Sequence, residues 1–308
     1  MTTCNPDVER PTVATIARPA TVAVIGTGAI GQDLVSKISR SSALTCALVA
    51  GRNPESAGLR HAELLGCPTS AGGIEAVLSA DRPFDVVFDA TSAAAHREHW
   101  PRLEPLGSLV VDLTPSKVGA MVVPAVTGLD AGGSRNINLV SCGGQAGVPI
   151  ARALATAFPV SYLEVVSTVA SVVAGRATRL NLDEYVATTG QAVTAFTGVS
   201  DVKAILNISP AVPPAPFRTA VHALIPGADL TRVREVVESA AAEVRRFAPG
   251  YEILAASVTG DRVMISLHVI ACSEVLPPYA GNLDLINSAA IMVAEQHATR
   301  LALSEAAL

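Results

Sequence analysis

Short apolar runs alternate with helical patterns through the first half of the chain. The β-branched run 21–25 is typical of a buried parallel strand, and similar runs predict strands at 45–50, 84–91 and 108–113. Segments with apolar residues on one helical face separate these runs, at 57–65, 73–79 and 96–103. Strand and helix in alternation predict a parallel sheet with right-handed crossovers.

The pattern changes after Val160. Long β-branched runs predict strands at 162–173, 204–208, 219–225, 252–259 and 262–272, interrupted by helical patterns at 182–196 and 230–247. The last two strands flank Gly260-Asp261, which indicates a hairpin. This half therefore predicts a mixed, largely antiparallel sheet with helices on one face. An apolar helix at 288–298 is expected to pack back against the first half.

These patterns predict an α/β protein with two domains, which suits 308 residues at about 150 residues per domain. We expect a mobile N-terminal extension at 1–19 and a Rossmann dinucleotide-binding domain at 20–141, completed by a C-terminal helix at 283–308. An α+β substrate and dimerisation domain at 142–282 lies between them. We expect a homodimer or a larger homo-oligomer.

Composition narrows the classes of partner. The net charge is −5 and no basic cluster occurs, which argues against nucleic acid or an anionic membrane surface. Five scattered cysteines without a C-x-x-C pair fit neither a disulfide framework nor a metal site, so we expect reduced thiols. No signal-like or membrane-spanning apolar run occurs. We therefore expect a cytoplasmic protein that binds small molecules or other proteins.

A glycine-rich turn joins the first strand to the first helix: Gly26-Thr27-Gly28-Ala29-Ile30-Gly31. In G-x-G-x-x-G the first glycine permits the tight turn, the second lets the backbone approach a pyrophosphate, and the third lets helix pack on strand. The motif between strand and helix predicts a dinucleotide site; the alternative is a turn without a ligand. Thr91 and Ser92 follow a later strand and should lie at the same edge of the sheet.

Arg52 follows the second predicted strand, where an acidic residue normally binds the adenosine ribose. A carboxylate accepts hydrogen bonds from both ribose hydroxyls and repels a 2′-phosphate, whereas an arginine attracts that phosphate. The sequence therefore predicts that NADP is tolerated or preferred over NAD. The alternative is a solvated arginine beside the adenine.

Cys142 follows the run 136–140 and precedes a helical pattern that includes Ile150 and Leu154. The amide groups and dipole at a helix N-terminus stabilise a thiolate, and Gly143 and Gly144 let a ligand approach the sulfur. Cys142 is thus a candidate nucleophile. A small buried apolar residue is the alternative, as for most free cysteines.

Several further motifs occur in order along the chain. They are Asp89-Ala90-Thr91-Ser92 with His96, Asp112-Leu113-Thr114-Pro115, Cys142-Gly143-Gly144-Gln145, the segment 179–185 (RLNLDEY) and the segment 276–284 (LPPYAGNLD). Taken together, they resemble the acylating acetaldehyde dehydrogenases of aromatic and steroid catabolism, and the resemblance extends from about Thr21 to Ala294. These enzymes are similar in architecture to glyceraldehyde-3-phosphate and aspartate-semialdehyde dehydrogenases.

The resemblance implies roles for particular residues. Cys142 would attack the aldehyde, Asn181 would lie near the substrate carbonyl, and Asn282 would lie near the nicotinamide. The thiohemiacetal oxyanion would then be bound by Asn181 and by the amide of Gly143 or Gly144. CoA would be the second substrate, and a 4-hydroxy-2-oxoacid aldolase would supply the aldehyde through a channel.

One stretch departs from the family. Family members usually have Arg-Asp-Thr-Val-Tyr with the aspartate as candidate general base, and this chain has Arg218-Thr219-Ala220-Val221-His222. His222 could take the role, although it projects from the opposite face of a strand to Thr219. A water or the cofactor side could serve instead, or the second half-reaction could be altered. Two alternatives to the acylating enzyme therefore stay open: a related dehydrogenase with another acyl acceptor or substrate, and a non-catalytic, nucleotide-bound partner of an aldolase.

Overall fold

The computed structural model describes residues 18–128 and 131–306. Of the predicted extension at 1–19, only the last two residues fall within this range. Within the described residues, no helix combines the length and the apolar character needed to span a membrane.

The first domain is built on a seven-stranded parallel sheet in the order β3-β2-β1-β4-β5-β7-β6. Its strands are β1 (Ala20–Ile25), β2 (Leu44–Ala50), β3 (Thr69–Ser70), β4 (Val86–Asp89), β5 (Leu109–Asp112), β6 (Ala120–Met121) and β7 (Asn136–Asn138). Its helices are α1 (Ala29–Ile38), α2 (Ala57–Leu64), α3 (Ile74–Leu78), α4 (Ala93–Leu103) and α5 (Pro124–Thr127).

Both faces of this sheet are covered, because alternate side chains of each strand enter different cores. Val24 and Phe88 belong to the core that α1 and α2 cover, whereas Ala23 and Val87 pack under α3 and α4. Strand β1 lies between β2 and β4, so the chain order reverses at its carboxyl end. Such a reversal opens the crevice in which parallel sheets bind ligands.

The second domain has a five-stranded sheet in the order β11-β12-β10-β8-β9. Only the pair β8 and β9 is parallel, which confirms the predicted mixed sheet. Its elements are α6 (Cys142–Ala157), β8 (Tyr162–Ala170), α7 (Arg176–Leu180), α8 (Leu182–Thr197), β9 (Val202–Ser209), β10 (Phe217–Leu224), α9 (Leu230–Arg245), β11 (Tyr251–Thr259) and β12 (Arg262–Val269). Helices α6, α8 and α9 share one apolar core with the inner face of this sheet.

The last helix, α10 (Gly281–Ala306), returns to the first domain and packs on α1. Ile286 and Ala290 enter the same core as Val24. A buried ion pair joins the two helices, with Lys37 Nζ 2.6 Å from an Asp284 carboxylate oxygen. The second carboxylate oxygen of Asp284 accepts from the Cys272 amide at 2.8 Å, so the start of α10 is tied to both domains.

The expectation that all five cysteines are reduced thiols is wrong. Cys46, Cys67 and Cys142 are free thiols, but Cys272 is disulfide-bonded. His96, on α4, is fully buried against the Asp89 carboxylate.

Candidate active site

The glycine-rich turn has the geometry that its motif predicts. Gly26 has φ +115°, and a Cβ there would lie 2.5 Å from the Ala90 carbonyl oxygen. A Cβ on Gly31 would collide with the Gly26 backbone, so this glycine allows α1 to pack against the turn. A Cβ on Gly28 would meet open space. The turn therefore leaves an accessible backbone at the N-terminus of α1, as a pyrophosphate requires.

The residues expected at the adenosine end of the cofactor lie beside this turn. Thr27 contacts Gly51 at the end of β2, and a Cβ on Gly51 would lie 2.8 Å from the Thr27 methyl group. The next residue, Arg52, has an exposed side chain whose Cγ lies against the Gly73 turn. The Arg52 guanidinium is therefore on the surface beside the glycine-rich turn.

Cys142 lies in a cleft between the two sheets. Residues from both domains line this cleft, including Ile30 of the glycine-rich turn, Thr91, Asn181, Tyr185 and Asn282. Ser92 does not line it; its hydroxyl caps α4 by accepting from the Ala95 amide at 3.2 Å. The structure thus brings the cysteine, both predicted asparagines and part of the dinucleotide turn to one place.

The turn that presents Cys142 is strained. Val140 has φ +64°, a conformation that costs a β-branched residue on the order of 1–3 kcal/mol. Its amide donates to the Asn138 side chain at 3.0 Å, and Val140 itself is buried. Helix α6 then begins at Cys142, with Ser141 as its N-cap. The strain therefore serves to place the thiol at the first position of a helix.

Burial raises the pKa of the Cys142 thiol above its usual range. Hydrogen bonds from the Tyr185 hydroxyl, the Gly143 amide and the Asn282 side chain act in the opposite direction and favour the thiolate. The helix terminus alone therefore does not make this thiol acidic, contrary to the simplest expectation. Its reactivity depends on the donors around the sulfur.

The two glycines after Cys142 differ in what their amides do. The Gly144 amide donates to Ser141 Oγ at 2.9 Å as part of the N-cap, so it is not available to an oxyanion. This corrects the expectation that either glycine could serve. The Gly143 amide lies next to the Cys142 sulfur and is the better placed donor.

Polar groups without partners face the same cleft. Asn181 is buried at the N-terminus of α8 and its side chain makes no capping bond. Within the described residues, Asn282 Oδ1 and Thr114 Oγ1 are buried and accept or donate no hydrogen bond. Buried polar atoms are normally satisfied, and a carboxamide would satisfy both kinds of group. The site therefore fits the nicotinamide end of a dinucleotide.

A buried charge network lies behind the cleft, at the carboxyl ends of β4 and β5. His96 Nδ1 is 2.9 Å from Asp89 Oδ2, and His99 Nδ1 is 2.8 Å from the same oxygen. The two histidines hold the pKa of Asp89 at about 2 in spite of burial, whereas burial raises that of Asp112 to about 6. Asp89 accepts from Thr91 and so fixes it at the edge of the cleft.

Sequence reasoning missed this network, although three adjacent strands each end in Asp or Asn: Asp89, Asp112 and Asn138. Polar residues at the ends of neighbouring parallel strands are a signal that could have been used. Among the described residues, no cluster of three or more His, Cys, Asp or Glu side chains could hold a metal ion.

His222 is not part of the site. Thr219 is buried on the face of β10 that packs on α6, whereas His222, three residues further, lies half-buried on the opposite face. Strand β10 carries them on different sides because side chains alternate along a strand. The structure therefore gives no support to a catalytic His222.

Fold and site together define a nicotinamide-dependent dehydrogenase of two domains with a cysteine in the interdomain cleft. Two family models match the chain: "Semialdehyde dehydrogenase, NAD binding domain" over residues 21–127, and "Prokaryotic acetaldehyde dehydrogenase, dimerisation" over residues 142–277. The chain belongs to the prokaryotic acetaldehyde dehydrogenase family, which confirms the resemblance seen in its motifs.

Individual relatives agree with this assignment. The chain is similar to an acetaldehyde dehydrogenase of Streptomyces griseus, with 71% identity over 93% of this chain and 94% of the relative. An acetaldehyde dehydrogenase of Pectobacterium atrosepticum is 47% identical over 89% of this chain and 94% of its own length. Among solved structures, aspartate semialdehyde dehydrogenase II of Vibrio cholerae superimposes with a TM-score of 0.63 at 13% identity, covering 90% of this chain and 98% of that one. This last likeness concerns the fold alone.

Proposed function

We propose that the protein oxidises a short aldehyde to an acyl-CoA through a thiohemiacetal and a thioester on Cys142. The observation that carries this proposal is the position of Cys142 at the N-terminus of α6, in one cleft with Asn181, Asn282 and the glycine-rich turn. The names of the relatives support an aldehyde as the substrate. The cleft is lined mainly by apolar side chains, which supports a small uncharged one.

The residues of the chain have distinct tasks in this reaction. The Cys142 thiolate forms a bond to the aldehyde carbon, and the carbonyl oxygen becomes an oxyanion. In this proposal the Asn181 side chain and the Gly143 amide donate to that oxygen. The position of Asn181 in the cleft and of the Gly143 amide beside the Cys142 sulfur supports these roles. The glycine-rich turn and Asn282 would hold the nicotinamide cofactor, which would supply the acceptor for the hydride that leaves the aldehyde carbon. The acyl group then remains on Cys142 until the CoA thiolate takes it and the bond to sulfur breaks.

The cofactor is a nicotinamide dinucleotide, and within this proposal NADP is tolerated or preferred because of Arg52. Its exposed guanidinium beside the glycine-rich turn supports this choice. The test compares kcat/KM for NAD and NADP in the wild type and in Arg52→Ala. The variant should lose efficiency with NADP and not with NAD. A wild type that strongly prefers NAD, with no effect of the substitution, would refute the role of Arg52.

A second candidate has the same first half-reaction with a different acyl acceptor, such as water. The buried Thr219 permits it, since this chain has no carboxylate at that position to take a proton from CoA. The deciding assay follows absorbance at 340 nm with a short aldehyde and either cofactor, with and without CoA, and identifies the product by mass spectrometry. Reduction that depends on CoA supports acyl transfer; reduction without CoA supports hydrolysis.

The same assay tests a non-catalytic role as the nucleotide-bound partner of an aldolase. No turnover under any of these conditions would favour that role. Cys142→Ala should abolish turnover and leave cofactor binding intact, whereas an active Cys142→Ala variant would overturn the mechanism. The presence of both the glycine-rich turn and Cys142 argues against a scaffold.

The proposal also covers the oligomeric state, the protein partner and the cellular location. The dimerisation family model supports an oligomer, and we propose a homodimer or larger assembly. A 4-hydroxy-2-oxoacid aldolase as partner rests on the family resemblance, and a cytoplasmic location would keep the Cys142 thiol reduced. Light scattering on the purified protein, alone and mixed with such an aldolase, tests both assemblies.

A further inference from the structure

A row of buried hydroxyl groups ends at the Cys142 sulfur. Tyr185, on α8, places its hydroxyl oxygen 3.7 Å from Cys142 Sγ. Ser167, on β8, neighbours the Tyr185 hydroxyl and forms a hydrogen bond of 3.0 Å with Thr219 Oγ1 on β10. Ser167 and Thr219 are directly opposite each other in the antiparallel ladder. Both are 1% exposed and Tyr185 is 7% exposed, so water does not compete for these groups.

Gly143 makes room for this row. A Cβ at this position would lie 2.6 Å from Ser167 Oγ and would collide with the Tyr185 hydroxyl. Only a glycine at the second position of α6 allows both hydroxyls to approach the helix end that carries the thiol. The row of hydroxyls and the backbone around Cys142 are therefore fitted to each other.

The effect on the Tyr185 pKa indicates which neighbouring hydroxyl donates to the Tyr185 oxygen. The Ser167 hydroxyl lowers the pKa of Tyr185, as a donor to the phenol oxygen does, while burial raises that pKa well above its usual range. Tyr185 therefore keeps its proton at neutral pH. While Cys142 is a thiol, its S–H donates to the Tyr185 oxygen, and once the sulfur is a thiolate the Tyr185 hydroxyl can donate to it instead. Either hydroxyl can donate in the bond between Ser167 and Thr219. When the single Ser167 proton points at Tyr185, Thr219 must be the donor to Ser167, and hydrogen bonds in such a chain strengthen one another.

We propose that Tyr185 is a catalytic residue that donates a hydrogen bond to Cys142 Sγ, and that Ser167 and Thr219 are positioning residues that orient its hydroxyl. The inference rests on the proposed function, since it assigns the group that stabilises the sulfur whenever it carries negative charge. That occurs twice: before the bond to the aldehyde carbon forms, and when the thioester bond breaks. No proton is transferred, because the hydroxyl proton stays on the Tyr185 oxygen throughout.

Tyr185→Phe removes the donor and keeps the ring. The rate of Cys142 alkylation by iodoacetamide is measured against pH on the cofactor-free full chain, with the Cys142 peptide quantified by mass spectrometry because other free thiols are present. A hydrogen bond to a charged group corresponds to a roughly 10- to 100-fold change in equilibrium. We therefore expect the midpoint to move up by about 1 to 2 pH units, and kcat to fall by a similar factor, with a smaller change in KM for the aldehyde.

Tyr251→Phe is the matched control. Tyr251 is also fully buried and its hydroxyl donates to the Ala146 carbonyl of the same helix at 2.7 Å, but it does not touch the sulfur. This variant should keep the alkylation midpoint of the wild type. Two further variants test the positioning role: Thr219→Val should raise the midpoint less than Tyr185→Phe does, and Thr219→Ser should restore it.

The outcomes separate this inference from the proposed function. If the wild type does not oxidise aldehydes, the proposed function fails, but the alkylation profile still reports on the bond between Tyr185 and Cys142. A Tyr185→Phe midpoint equal to that of the wild type overturns the inference, as does an equal shift in Tyr251→Phe. If Tyr185→Phe does not fold, the pair Thr219→Val and Thr219→Ser decides, and identical midpoints in these two variants overturn the positioning role.

Discussion

The substitution Gly143→Ala tests most directly how closely the site is packed. The new methyl carbon would lie 2.6 Å from Ser167 Oγ and 3.0 Å from Tyr185 Cζ, whereas ordinary contacts begin at 3.4 Å. Ser167 would have to move by about 0.8 Å, the difference between 3.4 and 2.6. Its oxygen is held in the sheet by Thr219, so the shift cannot be absorbed by a flexible side chain. Overpacking of this kind destabilises a protein by roughly 1–3 kcal/mol.

Gly143→Ala should impair catalysis more strongly than it lowers the free energy of unfolding. The displaced Tyr185 hydroxyl loses its contact with Cys142, while the amide of residue 143 stays beside the sulfur. We expect kcat for CoA-dependent aldehyde oxidation to fall roughly 10-fold or more, the value of one hydrogen bond to a charged group. Urea denaturation gives the free energy of unfolding, and the initial rate at 340 nm gives kcat.

Gly190→Ala is the control for this substitution. Gly190 lies within α8, and a Cβ there meets no atom within 4 Å, so alanine should stabilise the helix by about 0.5–1 kcal/mol and leave kcat unchanged. If Gly143→Ala retained both the kcat and the unfolding free energy of the wild type, the packing described around Cys142 would be wrong.

Three further predictions concern other parts of the molecule. Lys37→Met leaves the Asp284 carboxylate buried without its cation and should lower the free energy of unfolding by about 3–5 kcal/mol in urea denaturation; an unchanged value would contradict the pairing. Burial raises the pKa of Asp112 to about 6 in the folded state, above the 3.8 of an ordinary aspartate, so the stability it contributes is present below about pH 4 and is lost as the pH rises through 6. Asp112→Asn should therefore flatten the dependence of Tm on pH between 4 and 6, and an unaltered slope would exclude Asp112 as its source. His222→Gln should leave kcat unchanged, since His222 faces away from the cleft, and a large loss would show that the face assignment is wrong.

Much of the architecture followed from local patterns. The run before Gly26, the spacing of the glycines and the helical period after Gly31 each concern a few consecutive residues, and they predicted the turn that the structure contains. The alternation along 219–222 also placed Thr219 and His222 on opposite faces. The position of Cys142 at the start of a helix was also predicted from a local pattern, because the strand, the turn and the helix are formed by adjacent residues.

Local patterns could not show which buried groups meet. Tyr185, Ser167 and Thr219 come from a helix and two strands that are separated in the chain. The antiparallel pairing of β8 and β10 sets Ser167 opposite Thr219, and the packing of α8 on α6 brings Tyr185 to Cys142. His96 lies on a helix with many polar residues, and nothing in that local pattern shows that it is buried. The carboxylates of Asp89 and Asp112, at the ends of β4 and β5, lie on either side of its ring.

The sequence by itself determined the fold class and the glycine-rich turn, and it singled out Cys142 as the candidate nucleophile, because hydrophobic periodicity and turn chemistry act over short distances. The tertiary structure alone decided which amide after Cys142 is available, which hydroxyl reaches the sulfur, and how far burial opposes ionisation of the thiol. These properties depend on desolvation and on contacts between distant segments, and neither is encoded in the residues next to Cys142.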